Sequence, residues 1–293
     1  MKVLLRYLFG LSLIFGLVAA AGYGRSGIAW LSVASYPLLG LSVALLIAVF
    51  FFRSWMWWRL LRRAGVGLSY RQAVVSRFMP ILGKYIPGKV WVVLGTAGSV
   101  SGQVGSLSRS LVLTLWFQLS MLISALMVAG MGLAVLGLPA TIPSGYAVMV
   151  GGGAALAALL LMSNRRLAGA VLARLSRRHR DNTEVTVPGL AATHAAGMVQ
   201  WLVTGLAFEL LFQSLGNGTG LYAIFYQPAA QAGSMAIGLT PGGLGIREGI
   251  TAGYLGLSGM VMGVAASLAV AARVWFFAVE VILFAIGWAL NRQ

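Results

Sequence analysis

A chain of 293 residues that is 59% hydrophobic and 9% charged, with mean hydropathy +0.90, falls outside the soluble globular class and reads as an all-α polytopic membrane protein. The formal net charge of +16 does not point to nucleic acid, because the basic residues flank apolar runs, where anionic lipid and the positive-inside rule account for them. With no cysteine there are no disulfides, thiolate catalysis or Cys-ligated metal; the two histidines, His179 and His194, are too far apart to suggest a metal cage, and no cofactor is expected.

Runs long enough to cross a bilayer, about 20 residues each, occur near 3–22, 36–52, 107–130, 145–163, 188–213 and 260–290, which predicts six full transmembrane helices in one domain, 1–293. The first run follows Lys2 and contains Arg6, and it ends in Ala19-Ala20-Ala21. It reads as an uncleaved helix, with a cleaved signal peptide as the alternative. Arg53, Arg59, Arg62, Arg63, Arg71 and Arg77 crowd the connection 53–77, and Arg165, Arg166, Arg174, Arg177, Arg178 and Arg180 crowd 164–184. Both are expected to be cytoplasmic basic loops, since 23–35, 131–144 and 214–220 carry only Arg25 among them. Both termini are then cytoplasmic. Trp55, Trp57 and Trp58 read as an interfacial belt, and 164–184 as a basic surface segment suited to anionic lipid or to a partner protein. Asn217-Gly218-Thr219 matches a glycosylation sequon, a pattern common by chance.

Two stretches break the apolar pattern at comparable depths of the two halves. They are Gly83-Lys84-Tyr85-Ile86-Pro87-Gly88-Lys89-Val90-Trp91 and Thr240-Pro241-Gly242-Gly243-Leu244-Gly245-Ile246-Arg247-Glu248-Gly249. Proline and glycine do not sustain a helix, and charge is costly in hydrocarbon, so such segments persist where protein or a wet cavity solvates them. Residues 78–100 therefore read as a re-entrant hairpin from inside and 221–258 as its counterpart from outside. Opposed hairpins fit an inverted repeat, with alternating access by rocking one half against the other. A rival count takes 221–239 and 250–262 as full spans and weakens that symmetry.

A charge at mid-bilayer costs about 2.5–3.5 kcal/mol on insertion scales. Lys84, Lys89, Arg247, Glu248, Arg273 and Glu280 are therefore expected to pair or to face water, as candidate substrate-binding residues. Arg247 and Glu248 should point apart on a helix, with Glu248 seeking Lys84, Lys89 or Arg273. Arg273 and Glu280, seven residues apart on one helix face, are too distant for contact but able to line one cavity. The plainer reading is that these cations snorkel to the interface. Gly242, Gly243, Gly245 and Gly249 either present backbone N–H groups to an anion or pack helices closely; the adjacent Arg247 favours a phosphate or carboxylate ligand. No Walker or dinucleotide pattern is met. His194, Met198, Trp201, Gly205 and Glu209 form one helical face, read as a buried stripe, with a functional role for Glu209 as the alternative.

Lys84-Tyr85-Ile86-Pro87-Gly88-Lys89-Val90-Trp91, the segment from Pro241 to Gly249, and Arg273-Val274-Trp275-Phe276 together resemble the lysylphosphatidylglycerol synthase transmembrane region family, over essentially the whole chain. The resemblance implies a flippase-like membrane domain of the kind that, in fused aminoacyl-lipid enzymes, is associated with moving the modified lipid between leaflets of a bacterial inner membrane. It marks Lys84, Pro87, Gly88, Pro241, Gly242, Gly243, Gly245, Glu248 and Arg273 as the core of the site, with the prolines and glycines shaping the hairpins. The soluble transferase portion of the fused enzymes is absent from this sequence, so synthesis of lysyl-lipid is not expected of it. The expected cargo is a membrane phospholipid or other lipid-linked headgroup. Two rival readings remain: a non-catalytic partner of a separate synthase or glycosyltransferase, and an intramembrane transferase with Glu248 or Glu280 as base.

Overall fold

The computed structural model describes residues 35–85, 90–136, 191–237, 243 and 245–292. The expected spans 3–22 and 145–163, the basic segment 164–184, and Pro87, Gly88, Lys89, Pro241 and Gly242 lie outside the described residues.

Eight α-helices are found among the described residues. They are α1 (Tyr36–Arg63), α2 (Tyr70–Phe78), α3 (Val90–Val104), α4 (Leu107–Leu136), α5 (Ala191–Ser214), α6 (Leu221–Ile237), α7 (Ile246–Leu257) and α8 (Met262–Arg292), with a short 3-10 turn at Ile81–Tyr85. Four of them, α1, α4, α5 and α8, are long and apolar enough to cross a membrane. The 15 residues of α3 and the 12 of α7 are too few, and the 17 of α6 are interrupted by Pro228. The architecture is thus the expected one of crossing helices interleaved with shorter broken elements.

The helices fall into two like halves. Those of the first half begin at Tyr36, Tyr70, Val90 and Leu107, those of the second at Ala191, Leu221, Ile246 and Met262, a near-constant offset of about 155 residues. Their neighbours repeat as well. Where α1 packs on α2, α5 packs on α6; α3 lies on α4 as α7 lies on α8; α4 meets α6 as α8 meets α2; and α1 and α5 face each other across the middle. The same offset sets Pro87-Gly88 against Pro241-Gly242 in the sequence. This is the pairing of elements that a two-fold repeat requires.

Local chemistry explains the joints. Pro37 stands in the first turn of α1, where a missing N–H costs nothing. At the start of α2, Gln72 N donates to Ser69 Oγ at 3.2 Å while Ser69 N donates to Gln72 Oε1 at 2.8 Å, a reciprocal capping box. Ser69→Ala should therefore cost about 1 kcal/mol locally, read as faster amide hydrogen exchange over 70–78 with the long helices unchanged. Unchanged exchange there would show that the cap contributes nothing. Arg71 Nε donates to the Leu290 carbonyl at 2.9 Å, closing the end of α8, and Arg109 Nη2 donates to the Ala64 carbonyl at 2.9 Å, closing the end of α1.

Helices α5 and α6 approach closely, backbone against backbone. Pro228 has no N–H, so the Ile224 carbonyl one turn earlier receives no helical hydrogen bond. Gly205 packs against that freed carbonyl, and a Cβ built on Gly205 would stand 2.3 Å from it. Two apolar cores flank this seam, one around Trp57, Leu113, Phe117 and Met121, the other around Phe208, Phe212, Leu255 and Leu283.

Two expectations require correction. Residues 53–77 are not a loop, because α1 continues to Arg63 and α2 begins at Tyr70. The tryptophans beside these arginines are not all an interfacial belt either. Trp57 is fully buried in the first core and donates from Nε1 to Ser76 Oγ at 3.1 Å, whereas Trp55 and Trp58 carry Arg59 and Arg62 over their rings at 4.9 and 5.7 Å.

Candidate functional site

Because α1 runs on past its apolar stretch, Arg53 sits about 9 Å deeper along the helix axis than Arg59, at ~1.5 Å per residue. It reaches an internal cavity of about 330 Å³ to which each of the eight helices contributes. Five charged groups line it: Arg53 from α1, Arg77 from α2, Lys84 from the 3-10 turn, Arg247 from α7 and Glu280 from α8. Gln118, Gln200, Thr204 and Gln231 supply further polar lining, and Phe50, Trp201 and Phe276 supply aromatic walls.

The three carboxylates among the described residues are all engaged. Lys84 Nζ donates to Glu280 Oε1 in an ion pair, and the Tyr85 hydroxyl donates to Glu280 Oε2 at 2.8 Å. Glu280 is 1% exposed, whereas the Lys84 side chain is 25% exposed. Glu248 occupies the third position of α7, where Gly245 N donates to its Oε2 at 2.7 Å, and its Oε1 lies 3.5 Å from Arg273 Nε. Glu209, the third carboxylate among the described residues, accepts from Thr219 N at 2.9 Å, Thr219 Oγ1 at 2.6 Å and Gln213 Nε2 at 2.9 Å. It closes the turn between α5 and α6, and so the alternative of a functional role for Glu209 gives way to a structural one. In the same turn Thr219, the last residue of the sequon, also caps Ala223 N at 3.2 Å.

The guanidinium groups are seated differently. Arg53 lies over Trp201 at 5.8 Å, Arg77 over Phe117 at 5.1 Å and Arg247 over Phe276 at 4.0 Å, measured from Cζ to the ring centroid. A ring face stabilises the cation without using its N–H edges. Arg53 Nε, Arg77 Nη1 and Arg247 Nη2 are buried donors with no hydrogen-bond partner among the described residues.

Of the expected site residues, Lys84, Arg247 and Glu280 line one cavity. Glu248 finds Arg273, one of its three expected partners, and Arg247 and Glu248 do point apart. Arg273 and Glu280 do not share the cavity as expected. Glu280 faces it, while Arg273 turns to Glu248 and lies over the Tyr85 ring at 5.1 Å. Gly243 lines the cavity, and Gly243 and Gly245 hold φ of 72° and 81°, which suits glycine alone, so their first requirement is conformational. Gly249 N donates to the Gly245 carbonyl at 2.8 Å inside α7, leaving no donor for an anion. Gly205 is a packing residue. His194 is buried, its Nδ1 3.4 Å from Ser124 Oγ.

Sequence reasoning missed Arg53, Arg77 and the glutamines. The available signals were an arginine directly after Phe50-Phe51-Phe52 and ahead of the Trp cluster, and Gln118, Gln200 and Gln231 inside otherwise apolar helices, where a polar side chain is itself a pointer to a site.

Long apolar helices, a two-fold repeat of elements and a largely apolar cavity that carries charged groups between the halves define a polytopic helical membrane protein. The family described as Lysylphosphatidylglycerol synthase TM region matches residues 3–287, nearly the whole chain, and the protein belongs to that family. No curated protein and no solved structure matches it. Family membership relates this membrane domain to lipid modification or translocation.

Proposed function

We propose that the protein is a flippase-like translocator that moves an anionic or aminoacylated phospholipid, or another lipid-linked headgroup, between the leaflets of a bacterial plasma membrane, with both termini cytoplasmic. The observation that carries this reading is the cavity of about 330 Å³ between the two halves, lined by four cations and one carboxylate. Its volume lies at the low end of ligand pockets, which run about 300–1,000 Å³. That is room for a headgroup, with the acyl chains remaining in the bilayer. The basic side chains hold the phosphate by charge-assisted hydrogen bonds, Lys84 and Glu280 exchange partners with the headgroup, and rocking of the two halves alternates the exposed side. Two rival roles have weaker support. An intramembrane transferase needs a base, and both Glu248 and Glu280 are held by cations and N–H or O–H donors. A purely recruiting partner has no use for a charged interior.

Leaflet exchange of labelled phosphatidylglycerol and of its aminoacylated form, in vesicles containing the purified protein, tests the reading. Arg247→Gln is expected to lower exchange roughly tenfold or more, since a hydrogen bond to a charged group contributes about 1.5–3 kcal/mol. Arg63→Gln, on the exposed end of α1, should leave exchange unchanged. Equal exchange by folded wild type and Arg247→Gln, or a covalently altered lipid product, overturns the proposal.

A further inference from the structure

The charges that line the cavity narrow the ligand class, on the premise that the cavity is the headgroup site proposed above. The three carboxylates of the described residues are committed: Glu209 to the α5–α6 turn, Glu248 to Gly245 N and Arg273, Glu280 to Lys84 and Tyr85. Arg53, Arg77 and Arg247 have no carboxylate within ion-pair distance among the described residues. Three guanidinium charges therefore converge on one cavity, each seated on an aromatic ring and each with a buried N–H donor left over. With Glu280 the only carboxylate among the described cavity-lining residues, the cavity carries an excess of positive charge, which is costly and is relieved by a counter-charge of matching size.

A phosphodiester headgroup supplies one negative charge, and aminoacylation of that headgroup cancels it, or with lysine reverses it, by ammonium groups that the three guanidiniums would repel. A phosphate monoester supplies about −1.5 to −2 at neutral pH, and a diphosphate ester supplies more. Arginine forks match the paired oxygens of such groups better than point charges do. We infer that the cavity is built for a lipid headgroup carrying two or more negative charges, a phosphate monoester or a diphosphate ester, in preference to phosphatidylglycerol or its aminoacylated form. Arg53 and Arg77 from the first half and Arg247 from the second are its specificity residues.

The test is lipid retention by the purified full chain in nanodiscs of mixed composition, read by native mass spectrometry, with leaflet exchange measured in parallel. Phosphatidic acid and a polyprenyl diphosphate should be retained at least tenfold over phosphatidylglycerol, and lysyl-phosphatidylglycerol should not be enriched. Retention of phosphatidic acid should rise from about pH 5.5 to about pH 7.5, as the second phosphate proton leaves near pH 6, while that of phosphatidylglycerol stays flat. Arg53→Gln and Arg77→Gln should each bring the preference down toward the phosphatidylglycerol level, and Arg77→Lys should restore part of it; Arg63→Gln should leave it unchanged. Inorganic diphosphate should displace the lipid only at higher concentration; tighter binding of free diphosphate than of any lipid assigns the cavity to a soluble anion and overturns the inference. Equal retention of all anionic lipids, or preference for the aminoacylated one, also overturns it. The multiply charged preference without leaflet exchange upholds this assignment and removes the translocator reading, whereas exchange of phosphatidylglycerol with no preference does the reverse.

Discussion

Glu280→Ala is expected to destabilise the protein by about 1–3 kcal/mol, the cost of leaving hydrogen-bond partners unsatisfied, because the Lys84 side chain is 25% exposed and the pair is only partly buried. The carboxylate is 1% exposed and receives both Lys84 and the Tyr85 hydroxyl, so its loss strands a cation and a hydroxyl together. Lys84→Met should cost a comparable amount for the mirrored reason, since Glu280 would keep only Tyr85. The double variant Lys84→Met/Glu280→Leu should recover most of either loss, because no unpaired charge remains and apolar neighbours replace the pair. Thermal unfolding in one detergent, compared across the four proteins of the cycle, reads this coupling. Additive losses in the double variant would show that the pair does not act as a unit.

Gly205→Ala should be the most damaging change of a single methyl group. The added Cβ would meet the Ile224 backbone at 2.3, 2.5 and 2.7 Å, and backbone cannot move aside as a side chain can. We expect a loss of about 3 kcal/mol, the upper end for overpacking, with α5 and α6 pushed apart at the seam. Gly249→Ala is the matched control. A Cβ there meets nothing within 4 Å and sits in a helix, so the change should stabilise by up to about 1 kcal/mol. Folded yield and melting temperature of the two variants check the contrast, and a well-folded Gly205→Ala protein would refute the close-approach account.

Much of this architecture was legible because the membrane imposes it. Apolar run length located α1, α4, α5 and α8, and the clustering of proline, glycine and charge located the broken elements on either side of the cavity. Glu248 and Glu280 were identifiable as needing partners because a lone carboxylate in hydrocarbon is so costly. What stayed hidden was depth. Arg53 and Arg77 share a run with Arg59, Arg62 and Arg63, and a rule that counts basic residues near span ends treats all five alike. Helical phase and the continuation of α1 to Arg63 separate them, and neither is visible while the stretch is taken for a loop. Glu209 shows the converse difficulty: in sequence it is an acidic residue within an apolar span, and only its tie to Thr219, ten residues on, reveals a capping role.

Tyr85 gives the 3-10 turn and the start of α7 a common fate. Its hydroxyl is committed to Glu280, and its ring lies beneath Arg273, which in turn reaches the carboxylate holding the start of α7. Withdrawing the 3-10 turn from α8 would at once leave Glu280 short of both donors and Arg273 without its aromatic seat. The strain would pass to the entry of α7, in the second half of the chain. One phenol side chain thus works as an interlock, tying a displacement on one side of the cavity to the shape of the other.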